Sequence, residues 1–374
     1  MITSLLSTDK KLMDRSIHFE RMRETSKIVI PLIKDAYLKI GSQNNHLFDS
    51  LNYFVLKRTN DGQCLLRPYL VRLGYELSGK NNWVDIAPAC AAVEIFNIST
   101  YQSNIAFDNK NGIFTSSQKN NQFVASMLSL ELAIDTILKL DNNFGQTVIS
   151  QIIDRFHQTN RDIYIGQFYD LNELTINNLD LSMPEDIFLS LYLQRCEKLG
   201  GSLTSLCLEV GCLLGGGNDH LIVTLKKIGT MLGTAGQIVN DVSDYIPPEP
   251  IKGDINGYKP YFSDLKAGKV TFPLFHLLKL MPLQKNKIIM DILVNKTINN
   301  SAMKEIPLWI CQYSSIKSIR KIIWSYYKNL KKEVRKITKS QYRDLLSIAF
   351  SSLLTNKYFA MLREYMSVHN AKRT

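Results

Sequence analysis

Apolar residues recur at three- and four-residue spacing along almost the whole of this 374-residue chain, and alternating apolar-polar runs are rare. A 3.6-residue period buries one stripe of a helix, whereas a strand needs a period of two. The expected class is therefore all-α. Helices are predicted at about 20–40, 50–58, 66–79, 87–103, 121–141, 144–158, 184–214, 220–245, 271–294, 316–335 and 340–365. Breakers fall between them at 109–112, 141–145, 215–218 and in a proline-rich stretch at 246–261. No linker long enough to separate one domain from another occurs. The expected organisation is one domain at 20–350, with an extension at 1–19 and a helical extension at 351–374.

Hydrophobic residues make up 45% and charged residues 21% of the chain, enough apolar material for a large core. No run approaches the roughly 20 apolar residues that cross a bilayer, and no apolar block with a cleavage site opens the chain. A cytoplasmic protein without a transmembrane segment is expected. Lys and Arg outnumber Asp and Glu by 45 to 34, a formal charge of +11. Nucleic acid, an anionic membrane surface and small phosphorylated ligands all match that sign. Much of the excess lies between Lys317 and Lys339, where a solvated helix face accounts for it. No stacking platform or nucleic-acid motif accompanies it, so no nucleic-acid partner is expected. The six cysteines form no CxxC pair and the six histidines are scattered. A zinc site or a nucleophilic triad has no support, and the cysteines read as reduced core residues.

The segment richest in chemistry is Gly236-Gln237-Ile238-Val239-Asn240-Asp241-Val242-Ser243-Asp244, followed by Ser263-Asp264-Leu265-Lys266-Ala267-Gly268-Lys269-Val270-Thr271-Phe272-Pro273. On a helix Asn240 and Asp244 lie one turn apart with Asp241 between them in angle, so their oxygens converge. Hard oxygen donors of this kind suit Mg²⁺, which favours a few carboxylates plus water and phosphate oxygens. Lys259, Lys266 and Lys269 add positive charge beside the same helix end. Metal and lysine together describe a diphosphate clamp; alone, the Asn-Asp-x-x-Asp would read as a solvated helix terminus.

With both flanks in place the segment resembles the FQxxDDxxD and DLxxGKxTxP motifs of the trans-prenyltransferases, the isoprenyl diphosphate synthases of the polyprenyl synthetase family. Arg67-Pro68 resembles the end of that family's GGKRxRP, Gly166-Gln167-Phe168-Tyr169-Asp170-Leu171 its GQxxDL, and Glu209 to Cys212 the helix after its Lys-Thr pair. The resemblance covers about 20–350. It implies a single-domain isoprenoid synthase (terpenoid synthase) helical bundle around a central cavity, with Mg²⁺ as cofactor. The implied partners are an allylic prenyl diphosphate, isopentenyl diphosphate and a second subunit, identical or an active homologue, paired through helices near 87–103 and 121–141. It assigns Asp241, Asp244 and Lys269 to catalysis and Asn240, Asp241 and Asp244 to metal. Arg67, Gln167, Lys198, Gln237 and Lys259 are assigned to substrate.

The first aspartate-rich motif of the family is degenerate here. Ser99 to Asp108 contains no DDxxD, and only Asn104 and Asp108, one turn apart, are left as a residual ligand pair. Gln63-Cys64-Leu65 stands where the family has Gly-Lys-Arg, and Lys110-Asn111-Gly112 where it has Arg-Arg-Gly. Lys198 is one residue away from the family's Lys-Thr. Condensation, cyclisation of a prenyl diphosphate and a non-catalytic subunit role are all consistent with this pattern.

Overall fold

The structure is a computed structural model that describes residues 8–41, 45–59, 64–108, 115–245, 262–313 and 315–354. The all-α expectation holds. In chain order the helices are α1 (Thr8–Gly41), α2 (Asn45–Thr59), α3 (Leu66–Leu77), α4 (Ala87–Asp108), α5 (Ser116–Leu138), the single turn α6 (Asp141–Phe144), α7 (Gln146–Phe168), α8 (Glu185–Cys196), α9 (Ser202–Leu214) and α10 (Asp219–Ser243). They continue with the single turn α11 (Ser263–Lys266), α12 (Phe272–Leu280), α13 (Leu283–Asn295), α14 (Asn300–Gln312), α15 (Ser315–Val334) and α16 (Gln341–Leu354). Wider π-helical turns at Tyr169–Glu173 and Glu197–Gly201 follow α7 and join α8 to α9. No named strand occurs among the described residues; Thr175 and Lys269 pair as an isolated antiparallel bridge. No helix among these residues is long and apolar enough to cross a membrane.

Two apolar cores share one spine. Leu225, Ile228, Leu232 and Ala235 of α10 join the larger core, built on α1 to α5, α7 and α9. Ile238, Val239 and Val242, further along the same helix, join the second, built on α8 and α12 to α15. The helix starts cleanly because the Asn218 side chain accepts the Leu221 N–H at 2.9 Å, an N-cap that satisfies one orphan donor.

Glycines set how near the central helices pass. A Cβ on Gly211 of α9 would lie 1.9 Å from the Val71 carbonyl oxygen of α3, and one on Gly233 of α10 would lie 2.0 Å from the Gly200 carbonyl oxygen. Backbone rather than flexible side chain occupies both positions.

Several boundaries differ from the sequence reading. α1 begins at Thr8, before the expected domain start at 20, and the predicted helix at 271–294 is two helices. Met281 between them is extended (φ −92°, ψ 155°), as the residue before a proline prefers. α14 was not anticipated; Asn299 caps it by accepting the Ala302 N–H at 2.8 Å, and Pro307 lies inside it. The proline-rich stretch and the end of the predicted 340–365 helix lie outside the described residues.

The α3–α9 crossing leads to a stability test. Gly211→Ala is expected to destabilise the fold by about 3 kcal/mol or more, because overpacking against backbone cannot relax by a rotamer change. A urea midpoint within error of the wild type would show that the two helices can separate freely.

Candidate active site

Three helices end at one place, each with a carboxylate. Asp108 is the last residue of α4, Asp170 lies in the π-helical turn after α7, and Asp241 is in the final turn of α10. Helix C-termini carry partial negative charge of about half a unit each, so the carboxylates add to a field already of their own sign. Such a cluster stands only if cations are built into it.

Arg195 of α8 is one of them. Its Nε and Nη2 donate to Asp170 Oδ1 at 2.8 and 2.6 Å, and its Nη1 donates to Asp241 Oδ2 at 2.6 Å. The Tyr192 hydroxyl donates to the same Asp241 oxygen at 2.9 Å, and Gln237 Nε2 donates to the other at 2.9 Å. Tyr192, Arg195 and Cys196 share one face of α8 at i, i+3 and i+4 spacing. Burial opposes the charge on Arg195, yet Asp170 and Asp241 hold its guanidinium protonated, with its pKa well above the usual value. Burial and then Asp241 push the Tyr192 phenol well up, so it remains a donor; the same two causes raise the Cys196 thiol to about 12.

Lys269 is the second cation. Its Nζ donates to Asp108 Oδ2 at 2.7 Å and to Asp170 Oδ2, and Gln167 Nε2 donates to Asp108 Oδ1 at 3.3 Å. The backbone delivers this lysine. Gly268 takes φ +75°, a left-handed conformation that glycine adopts without a Cβ clash. On either side, the Ile176 N–H donates to the Gly268 carbonyl and the Val270 N–H to the Leu174 carbonyl, both at 2.8 Å.

The pattern that defines the polyprenyl synthetase family matches residues 113–309, more than half of the chain and the span that holds Gln167, Asp170, Arg195, Asp241 and Lys269. The chain belongs to that family. Over 246 residues it is 26% identical to the short chain isoprenyl diphosphate synthase of Methanocaldococcus jannaschii, a match covering 64% of this chain and 70% of that protein. It is also 26% identical over 212 residues to the geranylgeranyl diphosphate synthase of Methanosarcina mazei, covering 55% of this chain and 60% of that one. Among solved structures it resembles geranylgeranyl pyrophosphate synthetase from Pyrococcus horikoshii, with TM-score 0.73 at 18% identity, over 91% of this chain and 99% of that chain.

In this family member the residues expected to act together are divided. Asp108, Gln167, Gln237, Asp241 and Lys269 converge. Asn104 sits half-buried one turn before Asp108, and Asn240 is exposed at the end of α10. Asp244 faces another way: its Oδ1 accepts the Ser263 N–H at 3.0 Å and the Ser263 hydroxyl at 2.7 Å, and its Oδ2 accepts the Asp264 N–H at 2.9 Å. It caps α11 from outside. Lys198 pairs with Asp162 of α7 at 2.5 Å, apart from the cluster. Arg67 stands in the first turn of α3, where its charge brings the Tyr101 phenol below the usual range. Lys259, Gln63 and Lys110 to Gly112 lie outside the described residues.

The carboxylates fit a divalent cation unequally. Those of Asp108 and Asp170 meet at one point, on a compact ammonium, and two carboxylates completed by water and phosphate oxygens are an acceptable set for Mg²⁺. Asp241 and Asp244 do not fit it: a buried guanidinium holds the first and the backbone N–H groups of Ser263 and Asp264 hold the second, donors that no rotation of a flexible stem removes, and both residues are 1% exposed. Among the described residues no three Asp, Glu, His or Cys side chains are grouped so as to hold a metal ion.

Arg195 and Tyr192 were not found from the sequence, and Asp170 was noticed only within a motif. A charged residue three positions after a tyrosine on the otherwise apolar face of α8 was the available signal.

Capping by Asp244 has a local consequence. Asp244→Ala is expected to weaken the turn at Ser263–Lys266 by roughly 1–2 kcal/mol, the usual loss for a helix cap. Hydrogen exchange should show the Ser263 and Asp264 amides losing protection; unchanged protection of both would separate Asp244 from the cap.

Proposed function

We propose that this chain is a prenyltransferase of isoprenoid biosynthesis that takes an allylic isoprenyl diphosphate at the cluster of Asp108, Asp170, Asp241, Arg195 and Lys269. Family membership supports the class. The observation that carries the site is Lys269 Nζ held between a carboxylate at the end of α4 and one after α7. An ammonium on a flexible four-carbon stem can pass from carboxylates to phosphate oxygens. The Gln167 amide donates to Asp108 and the Gln237 amide to Asp241, two neutral donors in the same cluster.

In the reaction the allylic C–O bond breaks and its electron pair leaves with the diphosphate. Fixed cations aimed at that developing charge lower the barrier most in a site that excludes water. Condensation follows when the double bond of isopentenyl diphosphate attacks the allylic carbon and a proton is lost. Mg²⁺, when bound by Asp108 and Asp170, supplies further charge stabilisation to the departing diphosphate. Arg67 is the residue assigned to isopentenyl diphosphate; its buried Nε has no hydrogen-bond partner among the described residues and is a donor for an anion.

A second reading is favoured by Asn240, Asp241 and Asp244, of which one is an amide and two have their oxygens engaged: a non-catalytic subunit that pairs with an active homologue. Either form of pairing has a surface available. Phe123, Val124 and Met127 of α5 are exposed, and Phe107 of α4 packs edge-on against Phe123 at 6.1 Å. Such a patch is suited to a subunit interface.

Turnover with a panel of allylic diphosphates, with and without isopentenyl diphosphate, decides the activity. Product only with isopentenyl diphosphate is expected. Diphosphate release and a hydrocarbon without it would reassign the chain to cyclisation, and inactivity with every substrate to the subunit role. Lys269→Ala should weaken allylic diphosphate binding and Arg67→Ala isopentenyl diphosphate binding, each by about ten- to a hundredfold for a lost charged hydrogen bond; exchanged effects would invert the two assignments.

Light scattering should give twice the 42.7 kDa chain mass, alone or mixed with an active homologue. A 42.7 kDa particle in both samples would remove the pairing surface.

A further inference from the structure

Two of the three positions of the second aspartate motif have a use other than metal binding, and the third carries no charge. Asn240 is a neutral amide at its first position. Asp244, at its last, caps α11 through both oxygens. Asp241, in the middle, accepts from Gln237 on one oxygen and from Tyr192 and Arg195 on the other. A divalent ion at Asp241 would have to displace the guanidinium. Arg195 has nowhere ready to go: its side chain is 3% exposed, three of its N–H directions are set by Asp170 and Asp241, and Tyr192 and Cys196 share its helix face. Lys269 differs, since a single ammonium can leave two carboxylates by rotations of its stem.

We propose that Arg195 is a built-in cation that stands in for a divalent metal ion at the second aspartate motif, so that Asp241 binds no metal and a diphosphate there meets a guanidinium. The amide at Asn240 agrees with this, because a motif with one carboxylate fewer needs one positive charge fewer. Guanidinium also suits the task, being always protonated and presenting a planar fork to carboxylate or phosphate. Any exchangeable metal is then confined to Asp108 and Asp170. The diphosphate contact rests on the function proposed above; the exclusion of metal at Asp241 does not.

Mn²⁺ alone is the probe, followed by loss of the free-ion electron paramagnetic resonance signal in the wild type, Arg195→Gln, Asp241→Asn and the double variant. Asp241→Asn should leave wild-type Mn²⁺ affinity within twofold. Arg195→Gln should gain a site at least tenfold tighter than any the wild type shows through Asp241, and the double variant should lose it. Loss of wild-type Mn²⁺ binding in Asp241→Asn overturns the proposal, as does a folded Arg195→Gln that gains nothing. Should circular dichroism show Arg195→Gln unfolded, Asp241→Asn decides alone, because the isosteric amide keeps partners for Tyr192 and Gln237. Binding of inorganic pyrophosphate in the presence of a chelator should fall at least tenfold in Arg195→Gln; unchanged binding overturns the guanidinium contact. Failure of the prenyl diphosphate reading would appear in the turnover panel and leave the Mn²⁺ pattern intact.

Discussion

The buried pairing of Arg195 with Asp170 and Asp241, together with Lys269 on Asp108, is what allows three helices to end together. Without it the C-termini of α4, α7 and α10 would bring like charge to like charge in a region with little water, and a buried carboxylate left alone costs several kcal/mol. With it, α8 is tied to α10 through one guanidinium and to the segment after α7 through the same group. The arrangement of the second core around α8 and the end of α10 follows from that tie.

Backbone proximity does comparable work at the centre of the bundle. Gly211 and Gly233 allow α9 to pass α3 and α10 to pass the Gly200 turn at distances no side chain would tolerate. α10 can then belong to both cores and still deliver Gln237 and Asp241 to the site on consecutive turns of one face. The π-helical turn at Glu197–Gly201 lies beside this crossing, and Lys198 within it is directed to Asp162.

Much of this was legible in the sequence. Helical periodicity implies the class, and the Gly-Lys-x-Thr-x-Pro run marks Lys269 because its spacing from Asn-Asp-x-x-Asp is distinctive. What stayed hidden depends on contacts between distant residues. Asp244 follows the spacing of a metal ligand, but its oxygens meet Ser263 and Asp264, nineteen and twenty positions on, and no periodicity encodes that turn. Arg195 lies outside every motif, and only the packing of α8 against α10 reveals that it is aimed at two carboxylates. The split of the 271–294 helix could have been read from Pro282, whose ring disfavours a helical conformation at Met281. α14 was obscured by an asparagine-rich start and an internal proline.

The isolated bridge between Thr175 and Lys269 has a mechanical consequence. Its hydrogen bonds fix the Lys269 backbone to the segment that follows Asp170, so lysine and aspartate ride on a single body. Asp108 reaches the same ammonium only through side chains, from the end of a separate helix. The backbone of the lysine is therefore anchored to the segment that carries one of its carboxylates, while the other arrives from a different helix, so the pairing of Lys269 with Asp108 ties α4 to that segment.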